Sequence, residues 1–218
     1  MSGAATAFLL AFPALFSIVN PPGAAFIFNE VTAARSHAER TRLAGRVGLY
    51  SLLVMLVALW GGAYVLNFFG ISLGALRLAG GAVVALRAYA MLTAPETMEA
   101  RKQEQAGSSG RDPEDIAFFP LTLPFTTGPG TISVAIALGA GRPPPGDGLL
   151  PFFLGVSAAA VAIALLVWIA YRSADRVAAL AGASARRTMA RLSAFLLLCI
   201  GTQIMIGGVA DILAMLRH

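Results

Sequence analysis

At 218 residues, 57% of them apolar and 12% charged, with a mean hydropathy of +0.76, the composition excludes an ordinary soluble globular domain. Sixteen basic against eleven acidic residues give a pI of about 10.1, but the positive charge gathers in a few loops between apolar runs, so a nucleic-acid partner is excluded as well. A single cysteine, Cys199, leaves no disulfide framework and no thiol metal cluster.

Read in chain order, uncharged apolar runs predict six membrane segments, each near the roughly 20 residues that cross about 30 Å of hydrocarbon. Segment one lies within residues 5–28. Residues 1–14 lack a basic n-region and a clear cleavage site, so they read as its outer part rather than as a signal peptide. Its Phe12-Pro13 leads to Asn20-Pro21-Pro22-Gly23. Neither proline can donate, so the carbonyls of Ser17 and Ile18 lose their helical partners. Asn20 is a good N-cap for a new half-helix through Ala24 and Phe26, whose amides from Gly23 onward are expected to face the gap. Segment two covers residues 47–69 and segment three residues 74–92. Residues 93–115, with Gly107-Ser108-Ser109-Gly110 at their centre, read as a flexible tether.

Segment four, residues 117–140, repeats the interruption: Phe119-Pro120 leads to Thr127-Gly128-Pro129-Gly130. Thr126 or Thr127 is expected to cap, Pro129 to free the carbonyl of Phe125, and Gly130 to admit another group close to the backbone. A short Pro-rich outer turn, 141–146, precedes segment five at residues 149–171. Segment six, 192–213, carries Thr202 and Gln203 near its middle, either bonded within the bundle or serving the site. Glu30, Arg87 and Asp211 sit nearer helix ends, where snorkelling or pairing suits them.

The shared Phe, Pro, Pro and Gly of the two interruptions are offset by 107 residues, and Arg77-Leu78 and Met91 match Arg191-Leu192 and Met205 at an offset of 114. Three helices per half is odd, so the halves must enter the membrane from opposite sides. The expected fold is therefore all-α: six transmembrane helices built as two inverted three-helix repeats, residues 1–94 and 117–218, joined by a cytoplasmic linker at 95–116, with helices one and four discontinuous. Twelve of the sixteen basic residues, including Arg35, Arg40, Arg42, Arg46, Arg172 and Arg176, fall in the three loops that share one side. The positive-inside rule makes that side cytoplasmic and puts both termini outside.

Each break offers the negative end of one half-helix and the positive end of the next, about half an elementary charge apiece. With no fixed charge at mid-depth, the site suits a zwitterion. No nucleophile–base pair, metal constellation or nucleotide motif appears, so neither an enzyme nor a cofactor or metal is expected. Proton and sodium coupling both remain open, as does a homodimer through glycine pairs such as Gly61-Gly62 and Gly207-Gly208, which otherwise pack the bundle.

The stretches Ile18-Val19-Asn20-Pro21-Pro22-Gly23 and Phe125-Thr126-Thr127-Gly128-Pro129-Gly130-Thr131-Ile132-Ser133 resemble those of the MarC family, and the resemblance covers nearly the whole chain. It implies a bacterial inner-membrane protein. The family has a historical link to antibiotic-resistance operons, and its small neutral amino acid transporter branch carries glycine and alanine. Resemblance to that branch implies that residues 20–23 and 127–130 line a substrate site. Export of drugs or other metabolites, and a structural or regulatory membrane role, are the competing readings.

Overall fold

The computed structural model describes residues 3–33, 35–93, 116–144, 146 and 148–216; the expected tether falls almost wholly outside them. Among the described residues every regular element is helical: α1 Gly3–Val19, α2 Pro21–Val31, α3 His37–Phe68, α4 Leu73–Thr93, α5 Ala117–Thr126, α6 Pro129–Ala140, α7 Leu149–Arg172 and α8 Ala174–Met215. Among the described residues, five spans are long and apolar enough to cross a membrane: Gly3–Asn29 (α1 with α2), α3, Leu73–Ala90 in α4, α7 and Ala194–Met215 in α8. The sixth expected segment falls short because its break divides it into α5 and the 12-residue α6.

Segment six is also longer than its apolar run suggests. The 42 residues of α8 form one helix, about 63 Å at 1.5 Å per residue, roughly twice the hydrocarbon thickness. Its first turns therefore extend beyond the membrane.

Cross-contacts fix which turns share a face. His37 pairs with Asp175 at 2.6 Å, which joins the α2–α3 and α7–α8 turns. At the other end Arg77 pairs with Asp211 at 2.7 Å, as helix-end pairing predicts for that carboxylate, and Arg142 donates to the Tyr64 hydroxyl while lying over its ring. The α2–α3 turn is closed by Arg40, whose guanidinium donates to the Arg35 and Ala33 carbonyls and to Asn29.

The broken pairs do not pack mainly on each other. The α1–α2 pair lies on α7, the α5–α6 pair on α3, and α4 runs antiparallel along α8 in the most extensive contact. Small residues make these approaches, as expected where lipid gives helices no hydrophobic drive to associate. A Cβ at Gly81 would meet the Gly201 carbonyl at 2.7 Å, and one at Gly208 the Gly74 carbonyl at 2.8 Å. Gly62 against Ile136 and Gly80 against Ser133 serve α6 likewise, whereas Gly61 and Gly207 face open space.

Candidate functional site: a cavity between two helix breaks

The first break is confined to one residue. Asn20 takes the left-handed conformation, φ 47°, which Asn tolerates better than most residues that carry a Cβ. Its amide still donates to the Phe16 carbonyl at 2.9 Å, closing α1. Its side-chain Oδ1 accepts from the Gly23 amide at 3.3 Å and its carbonyl from the Ala24 amide at 2.9 Å, opening α2. Pro21 and Pro22 occupy the first turn, where missing N–H groups cost nothing, rather than an unwound stretch. The expectation of free amides from Gly23 onward therefore fails: Asn20 takes both. What the break leaves free is acceptors, since the prolines cannot serve the Ser17 and Ile18 carbonyls and the Gly23 amide has turned from Val19 to Asn20.

The second break is spread out and lies before Gly128. Phe119 (φ −129°, ψ 120°) and Leu123 (φ −109°, ψ 120°) are extended inside α5, and each precedes a proline, which disfavours the helical region for the residue before it. The turns around them widen to a π-type pattern, with the Thr127 amide donating five residues back to Thr122 at 2.8 Å. Neither threonine caps α6. The hydroxyls of Thr122, Thr126 and Thr127 instead donate back to the Ala117, Leu121 and Thr122 carbonyls at 2.7, 2.7 and 3.3 Å. Gly128 is the N-cap, without a side-chain bond, and Pro129 is the first residue of α6. The Gly130 and Thr131 amides that follow are uncapped donors.

Tyr171, buried on α7 and stacked on Phe28 with ring centroids 4.4 Å apart, shares a 2.7 Å hydrogen bond with Thr126. The Thr126 proton already goes to Leu121, so Tyr171 is the donor.

Between the breaks lies a cavity of about 80 Å³. Since roughly 10–15 Å³ on this measure holds one water, it has room for a solute of a few heavy atoms. Ile18, Val19, Asn20, Gly23, Ala24 and Ile27 line it from the first break, and Phe125, Thr126, Gly128, Pro129, Gly130 and Thr131 from the second. Val83, Val84 and Ala88 of α4 and Leu197 of α8 complete the wall. No charged side chain lines it among the described residues. A Cβ at Gly130 would run into the Val84 side chain and approach Ile18 Cδ1 at 3.3 Å, so the close approach expected of this glycine is real.

The family model described as MarC family integral membrane protein matches residues 5–213. This chain belongs to the MarC family. It is 33% identical over 208 residues to the inner membrane protein MarC of Citrobacter koseri, covering 91% of this chain and 92% of that one. The MarC proteins of Salmonella paratyphi A and Escherichia coli are each 32% identical over 206 residues, with the same coverage. No solved structure matches. With its apolar spans, membership places this MarC-family chain as a multi-pass protein of the inner membrane.

Of the residues singled out in the sequence, Ile18, Asn20, Gly23, Phe125, Thr126, Gly128, Pro129 and Gly130 meet at the cavity. Ser17 is exposed, Pro21 is buried beneath the break, Pro22 faces outward, and Thr127 is buried in α5; none of their side chains joins the lining. Thr202 and Gln203 stand apart too. The Gly201 and Gly208 contacts with α4 fix the rotation of α8 and leave both on its exposed face, Thr202 donating to its own Leu198 carbonyl at 2.9 Å. The α4 wall escaped the sequence reading because valines and an alanine carry no chemical signature. Proximity of a third helix to the breaks was the usable signal, and it points to α4 as well as to α8.

Proposed function

We propose that this protein is a secondary transporter of small neutral amino acids such as glycine and alanine, working by alternating access and without enzymatic chemistry. The observation that carries the reading is the polarity of the cavity. The first break leaves acceptors at the negative end of α1, and the second leaves the Gly130 and Thr131 amides at the positive end of α6. A zwitterion fits with its ammonium at the first break and its carboxylate at the second. Neither end carries a fixed charge that would favour a net ion, and about 80 Å³ leaves little room for a side chain.

The inverted repeat is supported by the pattern of packing. Exchanging the halves turns α1–α2 on α7 into α5–α6 on α3, and α4 against α6 into α8 against α2, while α3 with α7 and α4 with α8 map onto themselves. Charge asymmetry supports a cytoplasmic placement of the His37 and Asp175 turns with both termini outside. Ile27 and Ala88 carry the cavity's lining from the breaks toward that face. The decisive experiment is counterflow of labelled glycine, alanine, lysine and glutamate in proteoliposomes, with pH and sodium gradients varied separately. Glycine and alanine should exchange and the charged pair should compete poorly; equal exchange of lysine, or no exchange of any amino acid, overturns the reading.

A further inference from the structure

Gln203 lies at the centre of the α8 span Ala194–Met215, its side chain exposed and without a hydrogen bond to any described residue. An amide facing hydrocarbon with neither water nor partner is costly. The outward mid-span positions of α3 and α7, such as Leu53, Val57 and Leu165, are aliphatic and incur no such cost. Gln203 is also not isolated on its surface. Leu196, Cys199, Gln203, Ile206, Ala210 and Leu213 are all exposed and follow one another at alternating spacings of three and four, the seam of a heptad repeat with one polar member.

We infer that this face of α8 is the interface of a homodimer, in which two copies of α8 pack in parallel and the two Gln203 amides hydrogen-bond to each other. A second copy is the occupant because the seam complements itself. Copies inserted by the same charge rule share one orientation, so a two-fold axis along the membrane normal sets each seam residue opposite its own counterpart. A carboxamide is both donor and acceptor, so a pair of them satisfies what one leaves unmet. A single polar residue at a seam position also fixes register. The inference does not depend on what the protein transports, since the seam faces away from the cavity.

The chain's only cysteine, Cys199, sits on the seam and supplies the probe. In membranes containing the full-length protein, a short bismaleimide should link Cys199 to the second copy's Cys199 and give a band of twice the chain mass. Cys199→Ser should abolish the band, and placing the cysteine on α3 as Val57→Cys in that background should not restore it. Gln203→Leu should reduce the linked fraction several-fold at fixed protein-to-lipid ratio, whereas Gln203→Asn should retain most of it. Photobleaching of a C-terminal fluorophore in sparse liposomes should proceed in two steps. One-step bleaching, equal linking from Val57→Cys, a linked band of another mass, or undiminished linking in Gln203→Leu would overturn the inference.

Discussion

Asn20 shows how much one side chain settles in a membrane helix. It ends α1, starts α2 and holds a backbone angle that most residues avoid, so its replacements separate two effects. Asn20→Gly keeps the left-handed angle and loses the cap, which costs a few tenths of a kcal/mol where Gly replaces a capping residue. Asn20→Ala loses the cap, about 0.5–2 kcal/mol, and adds about 1–2 kcal/mol for a Cβ in that region. Thermal unfolding in detergent should therefore rank wild type, then Gly, then Ala; an Ala variant as stable as the Gly variant would remove the conformational part of the argument. Gly130 tests the cavity instead. Gly130→Ala should block glycine exchange by pushing Val84 and Ile18 into the solute space, at an overpacking cost of about 1–3 kcal/mol. Val84→Ala added to it should restore both stability and part of the exchange. Had the double variant stayed as impaired as Gly130→Ala alone, contact with Val84 would not be the cause.

At the scale of elements, the two breaks share a Pro/Gly spelling and differ in construction. In the first, the cap at Asn20 and the helix start at the prolines were legible in the sequence, but not that Asn20 would take the Gly23 and Ala24 amides. For the second, the existence of a break was legible but not its place, since it spreads through the turns before Gly128 rather than centring on residues 128–130. That Phe119 and Leu123 would be extended follows from the prolines after them, but the π-type turns depend on three threonine hydroxyls choosing carbonyls behind them over the cap ahead. Nor did spacing reveal Tyr171, which reaches Thr126 only because α7 carries it there through tertiary packing. Tyr171→Phe should cost about 1 kcal/mol, the loss of one bond whose acceptor keeps its other partner. Thr126→Val should cost more, about 1–3 kcal/mol, since it removes the acceptor of the Tyr171 bond and uncovers the Leu121 carbonyl. Unfolding of the double variant should fall well short of the sum of the two, and full additivity would separate the residues.

The His37–Asp175 contact ties α3 to α8 outside the membrane. Burial pushes the Asp175 carboxyl up, but hydrogen bonds from His37 and the Arg176 amide, with the charges of His37 and Arg40, outweigh it and hold the group below its usual range. A depressed carboxylate contributes stability above its unfolded value of about 3.9, and that contribution is lost as pH falls through the lower folded value. Acidification from pH 7 to 5 should therefore leave the Asp175 contribution in place. Because both side chains are partly exposed, Asp175→Asn should shift the thermal midpoint only slightly at pH 7.

At the scale of the whole molecule, each broken pair packs on the middle helix of the other half, the pattern expected of an inverted repeat. In the proposed transport cycle, the second state arises when each half takes the other's arrangement around the fixed site. Ala88, which lines the cavity from α4, has its counterpart 114 residues later in Thr202, now on the exposed side of α8. When the halves exchange, α8 should turn until Thr202 lines a cavity open to the outside, while Gln203, the counterpart of the exposed Tyr89, stays on the outer face. Single cysteines placed in a Cys199→Ser background make this measurable. Ala88→Cys should react with a membrane-impermeant thiol reagent only from the cytoplasmic side, and Thr202→Cys only from the outside. An outward-directed glycine gradient should raise one reactivity as it lowers the other. Thr202→Val should lower exchange with little effect on folded yield, because the lost hydroxyl serves only its own helix in the present conformation. If Thr202→Cys stayed unreactive from the outside under every gradient while exchange continued, the outward state would not be the image of the inward one. In that case Thr202 would belong to the same outer face as Gln203.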